Sequence, residues 1–429
     1  MAAETPDASH TDRHPTPDRH LTPLEEASAG VLGMFSPLET VRIPLSQALG
    51  RYAAEEVRAL HAVPPFANTA MDGYAVRSED TAGAPCELIC IGRSGAGNPL
   101  EMRVGRGEAI RIMTGAPMPE GADAVVVLED TAPGSTRSGS GGTVVIRRRV
   151  YPGDNVREPG EDIAEGEVVI QAGTLLRPAW LGVLASIGHG EISVYRRPKV
   201  AVLSSGDELL DPGARELTPG AIRDANRPAL IGLVTECGCE AVDAGIVPDD
   251  PDLLLGALES ALGKADVVLT SGGVSRGDYD HMHSVLSATS GGQMEWIEVA
   301  IRPAKPLAYG TVGGKPVIGL PGNPVAALVS FELFARPGLL RMQGCPSTAR
   351  SRTVVPIAHE LARRPDGKTH FVRVVVAPGE DGQLVAQASG LQGSHHLAAM
   401  ARANALAVLP DGNGLLAGDL VEVMLLGHI

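Results

Sequence analysis

Three short loops carry the residue types with which proteins bind phosphate-like anions. They span residues 204–208, 270–275 and 319–324, and each combines glycine with serine or proline. Backbone N–H groups in such loops, beside the start of a helix, point at a bound anion. One loop of this kind would indicate little, but three together indicate a shared binding site. The candidate binding residues are Ser205, Gly206, Ser271, Gly272, Gly273, Ser275, Pro321, Gly322, Asn323 and Pro324.

Acidic side chains cluster around the same loops. Carboxylates next to a phosphate-binding loop normally hold Mg²⁺, which bridges to the phosphate oxygens. Asp207 could instead cap a helix, and Asp278 is interpreted as a solvated turn residue. His281 and His283 could complete a metal site with the preceding aspartate, but neutral surface histidines are commoner. The favoured metal ligands are Glu208, Asp224 and Asp280.

A stiff segment around Pro303 places two cations close together. Arg302 and Lys305 flank this proline in a chain of net charge −15, which suits a fixed site for an oxyanion. A surface salt-bridge pair is the alternative interpretation. Arg373 and Ser394 lie further along the chain, and either alone would be interpreted as ordinary surface chemistry.

The elements that must position these loops lie between residues 199 and 340. Strand-like and helix-like segments alternate there, which predicts a doubly wound parallel sheet. Asn226 is the expected N-cap of one helix, and Asp250 with Pro251 is expected to start the next. In such sheets ligands bind at the carboxyl ends of the strands, where the three loops occur. The expected strands are 200–203, 240–246, 267–269 and 317–320.

The flanking segments predict further domains. Thr22, Pro23 and Glu25 resemble a capping box that starts a helix, and a second short helix is expected from Leu45 to Glu55. Short β-type runs separated by glycine and proline predict a β-domain, with a flexible hairpin tip at 133–142. The expected domains are a disordered tail at 1–20, a split helical or elongated domain at 21–62 and 152–195, an inserted β-domain at 63–151, the α/β domain at 196–342, and a C-terminal β-barrel or sandwich at 343–429.

Composition excludes several function classes. With 36 Lys and Arg against 51 Asp and Glu, the chain is a poor candidate for binding nucleic acid. Five cysteines, an odd number in a long chain, do not suggest a disulfide framework or a structural zinc site. No P-loop, dinucleotide or zinc-protease motif occurs, and the G-x-S-x-G match at 273–277 lies away from a strand-to-helix elbow. Without a signal-peptide pattern or a membrane-length apolar run, the expected location is the cytoplasm.

Seven motifs, in order, resemble the MoeA-type molybdopterin molybdenumtransferases, which are related to gephyrin and to the E domains of plant Cnx proteins. The resemblance covers about residues 24 to 426. It implies an elongated four-domain subunit and a homodimer, with an active site between the α/β domain of one subunit and the β-domain of the other. On the residues alone, Met71-Asp72-Gly73 would be interpreted as a turn. The motifs lie at 68–76, 111–116, 160–162, 205–209, 270–275, 319–324 and 392–394.

The implied reaction inserts molybdate into adenylylated molybdopterin and releases AMP, with Mg²⁺ or a similar cation. Three residues depart from the family pattern: Ala304 replaces a common glycine, Arg302 a common lysine, and Glu298 a basic residue. The implied catalytic residues are Asp72, Thr114, Asp162, Glu208, Asp224 and Asp280, and the implied molybdate-binding residues are Arg302, Lys305, Arg373 and Ser394.

Two other functions remain open on this fold. The α/β domain alone resembles the adenylyltransferase that makes the adenylylated pterin, and a gephyrin-like scaffold would need no catalysis. The extra domains and the full set of acidic positions favour insertion. The insertase interpretation implies two further partners, the upstream adenylyltransferase and apo-molybdoenzymes. The sequence does not distinguish molybdate from tungstate as the inserted oxyanion.

Overall fold

The computed structural model describes residues 21–97, 101–135, 142–274 and 281–427, which form two compact units. One unit contains residues 1–39 and 195–429, and the other contains residues 40–194. The proposed tail at 1–20, most of the hairpin tip, and Ser275, Asp278 and Asp280 lie outside the described residues. None of the helices in the described ranges is long and apolar enough to cross a membrane.

Helix α1 (Leu24–Gly33) confirms the first predicted helix but not its predicted cap. Pro23 occupies the N-cap position, and no side chain caps the helix. Thr22 instead forms a β-bridge with Val299, so a tertiary contact replaces the expected capping box. Ala27 and Val31 of α1 pack into the core of the α/β domain.

The unit of residues 40–194 contains a six-stranded sheet, which confirms that this part of the chain forms a β-domain. Its strand order is β7-β4-β6-β5-β9-β8, and only the β5–β6 pair is parallel. The elements of the unit are β1 (Thr40–Pro44), β2 (Val57–Arg58), β3 (Asn68–Thr69), β4 (Gly73–Val76), β5 (Cys86–Ser94), β6 (Glu108–Ile112), β7 (Ala124–Val127), β8 (Thr131–Pro133), β9 (Thr143–Ile146), β10 (Val156–Arg157), β11 (Val168–Ile170), α2 (Pro178–Ser186) and β12 (Glu191–Tyr195).

The remainder of this unit is less helical than expected. The helix predicted from Leu45 to Glu55 is wrong, because only a short 3-10 helix, Leu45–Gln47, forms there. Gly50 adopts a φ of +73°, which a continuing right-handed helix does not allow. The chain then runs as extended backbone, with Tyr52 bridged to Leu175. Strand pairs β1–β12, β2–β11 and β3–β10 complete this part, and α2 confirms the helix expected around residue 178.

The α/β domain confirms the doubly wound fold but not a wholly parallel sheet. Its strand order is β16-β13-β17-β21-β20-β18. The first four strands are parallel to one another, whereas β20 pairs antiparallel with both β21 and β18. Gly313 and Gly314, both at positive φ, form the two-residue turn of the β20–β21 hairpin. The elements are β13 (Lys199–Ser205), β14 (Leu209–Leu210), β15 (Ile222–Arg223), α3 (Asn226–Glu236), β16 (Glu240–Val247), α4 (Pro251–Lys264), β17 (Val267–Ser271), α5 (His281–Thr289), β18 (Met294–Glu298), β19 (Ile301–Arg302), β20 (Pro306–Val312), β21 (Lys315–Leu320), α6 (Pro324–Ser330) and α7 (Arg336–Met342), with a π-helical turn at Phe331–Ala335.

Helices cover both faces of this sheet. Val200 and Val202 of β13 pack with α1, α3, α6 and α7, whereas the alternate residues Ala201 and Leu203 pack with α4 and α5. The alternation follows from the two-residue period of a strand. Asp250 caps α4 as predicted, since its side chain accepts hydrogen bonds from the next backbone N–H groups.

The C-terminal segment forms the expected barrel. Its strands pair in the order β25-β24-β26-β28-β22, and a bridge between Ile357 and Ala386 closes the ring. Strand β19, which carries Arg302, pairs with β24 and so connects the α/β domain to the barrel. The elements are β22 (Arg352–Pro356), β23 (Leu361–Ala362), β24 (Thr369–Pro378), β25 (Leu384–Ala388), α8 (Leu397–Arg402), β26 (Ala405–Leu409), β27 (Gly414–Leu415) and β28 (Leu420–Leu425).

Candidate functional site

The three predicted loops line one cavity of about 660 Å³ in the α/β domain. They meet because β13, β17 and β21 are adjacent parallel strands whose carboxyl ends lie at one edge of the sheet. Gly206 lines a neighbouring cavity of about 890 Å³ together with Asp207. The predicted residues in the 660 Å³ cavity are Ser205, Glu208, Asp224, Ser271, Gly272, Gly273, Pro321, Gly322, Asn323 and Pro324.

Asn226 holds two of these loops together. Its Nδ2 group donates to Ser271 Oγ at 2.8 Å and to the Gly322 carbonyl at 2.7 Å. The side chain is 8% exposed, and its Oδ1 is buried without a hydrogen-bond partner in the described part of the chain. Asn226 is therefore not the N-cap that the sequence predicted, because tertiary contacts occupy its amide.

Asp224 caps helix α3 in its place. Its Oδ1 accepts from the backbone N–H groups of Asn226 and Arg227, both at 3.1 Å, and its Oδ2 accepts from Arg227 Nε at 3.0 Å. Arg227 also pairs with Asp243 and, at 3.6 Å, with Asp211. Asp224 is 2% exposed, so most of its lone pairs serve these internal contacts. These contacts favour a positioning role over the metal-ligand role predicted for Asp224.

The second loop needs glycine at its tightest approach to the first. Gly272 adopts a φ of +93°, and a Cβ there would lie 2.9 Å from the Ser205 carbonyl oxygen. Any other residue would push the two loops apart or strain the backbone. The close approach explains the glycine in this motif.

Three carboxylates lie close together just after strands β13 and β16. Glu208 is exposed there, and Asp207 Oδ1 accepts from the backbone N–H of Asp249 at 3.0 Å. Burial raises the pKa of Asp249, and the charges of Asp207 and Glu208 raise it further. The sequence analysis missed Asp249; the signal was a second carboxylate directly before the α4 cap, at the end of β16. No group of three metal-ligating side chains occurs within the ranges that the structure describes.

The predicted oxyanion residues Arg302, Lys305 and Ser394 line a cavity of about 340 Å³. This cavity shares Pro321 and Asn323 with the cavity of the three loops, so the two adjoin. Backbone pairing between Val325 N–H and the Ser394 carbonyl, at 3.1 Å, brings the barrel segment to the start of α6.

Two residues that depart from the family pattern, Glu298 and Ala304, affect Lys305. Its Nζ lies 2.8 Å from Glu298 Oε2, so this carboxylate partly neutralises it. Ala304, buried just before it, adopts a φ of +79°, the region in which glycine is favoured. A non-glycine residue in such a conformation stores roughly 1–3 kcal/mol of strain.

Arg373 lines a different cavity, of about 610 Å³, on the other side of the 391–394 loop. Its side chain donates to the carbonyls of Leu391, at 3.0 Å, and Gly393, at 3.2 Å. It is 1% exposed, and its Nε is buried without a partner in the described chain. Burial lowers the pKa of the guanidinium. Arg302 and Gln392 line both this cavity and the 340 Å³ cavity.

In the β-domain, Asp72 and Thr114 form one hydrogen-bonded pair. Asp72 precedes β4 and Thr114 follows β6, so the β4–β6 pairing brings them together. Asp72 Oδ1 accepts from both the backbone N–H and the Oγ1 of Thr114 at 2.7 Å, and these bonds lower the pKa of Asp72. Asp162 is exposed, its N–H donates to the Val63 carbonyl, and no hydrogen bond joins its side chain to this pair within the described ranges.

Comparison with known proteins identifies three matching regions. Residues 22–188 match the MoeA N-terminal region (domain I and II), residues 201–341 a probable molybdopterin binding domain, and residues 357–426 the MoeA C-terminal region (domain IV). A molybdopterin molybdenumtransferase of Haemophilus influenzae is 37% identical over 408 residues, which is 95% of this chain and 99% of the relative. One of Bacillus subtilis is 34% identical over 409 residues, covering 94% of both chains.

Solved structures agree with the sequence relatives. The crystal structure of a molybdopterin biosynthesis MoeA protein from Pyrococcus horikosii superposes with a TM-score of 0.79 at 34% identity. The match covers 96% of this chain and 100% of that chain. Similarity over nearly the full length of both proteins extends to every domain described above.

Proposed function

We propose, from the premise that the chain belongs to the MoeA family of molybdopterin molybdenumtransferases and acts in molybdenum cofactor biosynthesis, that it inserts molybdate into adenylylated molybdopterin and releases AMP. One observation carries the proposal: a cavity lined by Arg302, Lys305 and Ser394 adjoins a larger cavity built from the three glycine-containing loops. The larger cavity suits the pterin and its phosphates, and the smaller suits molybdate.

The loops would bind the substrate's phosphates through backbone N–H groups, with Asn226 keeping the loops in register. Mg²⁺ fits beside Glu208 at the loop cavity, because this ion is usually held by one or two carboxylates together with substrate phosphates. Glu208 is the exposed carboxylate there, with Asp249 beside it, and Asp280 remains the further candidate. The ion would neutralise phosphate charge, while Asp224 would act by fixing Arg227 and the start of α3.

In the smaller cavity, Arg302 and Lys305 would supply charge-assisted donors to molybdate, and Ser394 a neutral one. Arg373 contributes a buried positive charge whose side-chain hydrogen-bond acceptors in the described chain are neutral carbonyls, so a nearby anion is favoured electrostatically. Substituting Arg373 with glutamine should raise the molybdate concentration needed for half-maximal AMP release. An unchanged requirement would remove Arg373 from the oxyanion site.

We also propose a homodimer in which Asp72, Thr114 and Asp162 of one subunit serve the α/β domain of the other. The hydrogen bonds from Thr114 lower the pKa of Asp72, which favours an ionised carboxylate that could orient a substrate group. Mixed dimers of a D72N subunit with an E208Q subunit would then regain about half of the wild-type activity. A site built within one subunit predicts inactive mixed dimers.

The direct experiment incubates the purified protein with adenylylated molybdopterin and Mg²⁺, with and without molybdate. AMP release and activation of an apo-molybdoenzyme are measured together. Molybdate-dependent AMP release with activation supports the insertase. Tight substrate binding without AMP release would indicate a carrier or scaffold. In a parallel incubation with molybdopterin and ATP, formation of the adenylylated pterin would indicate the adenylyltransferase reaction.

A further inference from the structure

Two arginines lie side by side on one face of the β-domain sheet. The β5–β6 register pairs Arg93 with Arg111, and the β4–β6 register pairs Arg111 with Tyr74. Side chains at directly paired positions project from the same face of a sheet. The face that carries these three residues lies next to Asp72 and Thr114, at the ends of β4 and β6.

Neutral contacts hold Arg111 and Arg93 in place. Arg111 Nη1 donates to the Gly73 carbonyl at 2.9 Å, and its guanidinium lies 5.3 Å from the centre of the Tyr74 ring. Arg93 Nη2 lies 3.8 Å from the Met113 sulfur. These contacts orient both planar groups but leave most of their N–H donors available.

The charge of the pair is not balanced locally. Like charges directly opposite each other in a sheet are destabilising, and no ion pair in the described part of the chain involves either arginine. Both charges act on Asp72, whose pKa they lower, but its Oδ1 already accepts two bonds from Thr114. Two cations against one carboxylate leave this face cationic in a chain of net charge −15.

We propose that Arg93 and Arg111 form a phosphate-binding pair for a nucleotide phosphate, the group common to the adenylylated substrate and to AMP. Guanidinium groups bind phosphate through paired N–H donors, and two adjacent ones can hold two oxygens of one phosphate. The proposal rests on the proposed function for the identity of the nucleotide. It assigns to the β-domain a binding role that differs from the chemistry of Asp72.

Protection from arginine modification tests this site in the full-length protein. Phenylglyoxal labelling of Arg93 and Arg111, followed by mass spectrometry, is compared with and without ADP, AMP, adenosine or inorganic phosphate. ADP and AMP should protect both residues at least fivefold, whereas adenosine should not. Equal labelling with and without both nucleotides would overturn the proposal, as would protection by inorganic phosphate but not by the nucleotides.

Variants give an independent measurement. R93Q and R111Q should each raise the Kd for ADP about tenfold, which corresponds to about 1.4 kcal/mol, and R111K should recover part of this loss. R103Q is the matched control, since Arg103 is exposed on the same unit and pairs with Glu120 at 3.3 Å. An equal effect of R103Q would indicate a general loss of positive charge and would overturn the proposal.

The two proposals fail in different ways. If the protein releases no AMP, the insertase proposal fails, while nucleotide protection of Arg93 and Arg111 can still be observed. If AMP release proceeds normally but R93Q and R111Q leave the KM for the adenylylated substrate unchanged, only the phosphate-binding pair is refuted. The KM for molybdate should not change in either variant.

Discussion

Asn226→Asp is the sharpest perturbation of the loop cavity, because it keeps the shape of the side chain and changes its chemistry. The amide donates to Ser271 Oγ at 2.8 Å and to the Gly322 carbonyl at 2.7 Å. A carboxylate has no N–H groups, so both bonds are lost. The new group would also be nearly buried, at a position that is 8% exposed in the wild type.

The expected cost has two parts. Two lost hydrogen bonds at about 0.5–1.5 kcal/mol each contribute about 1–3 kcal/mol. The second part depends on pH, since burial beside the Gly322 carbonyl and the Asp224 carboxylate would raise the pKa of the new carboxyl group above its unfolded value of about 3.9. A raised pKa in the folded state means that the variant loses stability as pH rises from about 4 to that pKa. At pH values above the folded-state pKa, each unit by which that pKa is raised adds about 1.4 kcal/mol to the loss of stability.

Hydrogen exchange of the three loop segments is the suitable assay, because a single unfolding free energy is poorly defined for a chain of several domains. Backbone amides at 204–208, 270–274 and 319–324 should exchange faster in Asn226→Asp, after correction for intrinsic rates, and the difference from wild type should be larger at pH 8 than at pH 5. Asn226→Ala, the control, loses the same donors without gaining a charge and should show a pH-independent difference. Wild-type protection in Asn226→Asp, or the same pH-independent difference in both variants, would refute the reasoning.

Two further predictions concern charge and close packing. Glu298→Gln should lower the KM for molybdate about threefold to fivefold, because Lys305 loses a carboxylate partner at 2.8 Å and a partly exposed ion pair is worth about 1 kcal/mol. Lys305→Met should raise that KM, and equal KM values in wild type and Glu298→Gln would contradict the role of the pair. Gly73→Ala should destabilise the β-domain by about 1–3 kcal/mol, measured by its thermal transition, since a Cβ there would lie 2.0 Å from the Val126 carbonyl oxygen. Gly83→Ala is its control, with no heavy atom within 4 Å of the added Cβ, and a similar loss in both variants would rule out the close approach as the cause.

The positions of the three loops could be predicted from sequence because the signal for each loop is local. Glycine, serine and proline in a short run after a buried strand already specify exposed N–H groups at a strand end. The parallel order of β13, β17 and β21 then brings the loops together without any further information from side chains. The same reasoning predicted the Asp250 cap, whose partners are the next residues in the chain.

The two failed capping predictions share one physical cause, which is competition from distant partners. Asn226 has a common N-cap side chain, but its amide contacts Ser271 and Gly322, which lie 45 and 96 residues away. The backbone of Thr22 is held away from the capping position by a β-bridge to Val299. Capping preferences describe what a side chain does when its neighbours in sequence are its only partners. Where a strand or a loop from elsewhere offers a stronger contact, the local preference is overridden.

The distribution of cation partners suggests how so acidic a chain could bind the proposed oxyanion. Arg227, Arg196 and Arg350 each contact a carboxylate at about 3 Å, so their charges are neutralised within the fold. Arg373 is more deeply buried than these three but donates to carbonyls, which orient a guanidinium without cancelling its charge. Because an uncompensated buried cation is costly, its contacts suit a site that gains an anion in the working enzyme. A net charge of −15 disfavours binding of a long polyanion, whereas the binding of a small oxyanion depends on which arginines lack a carboxylate.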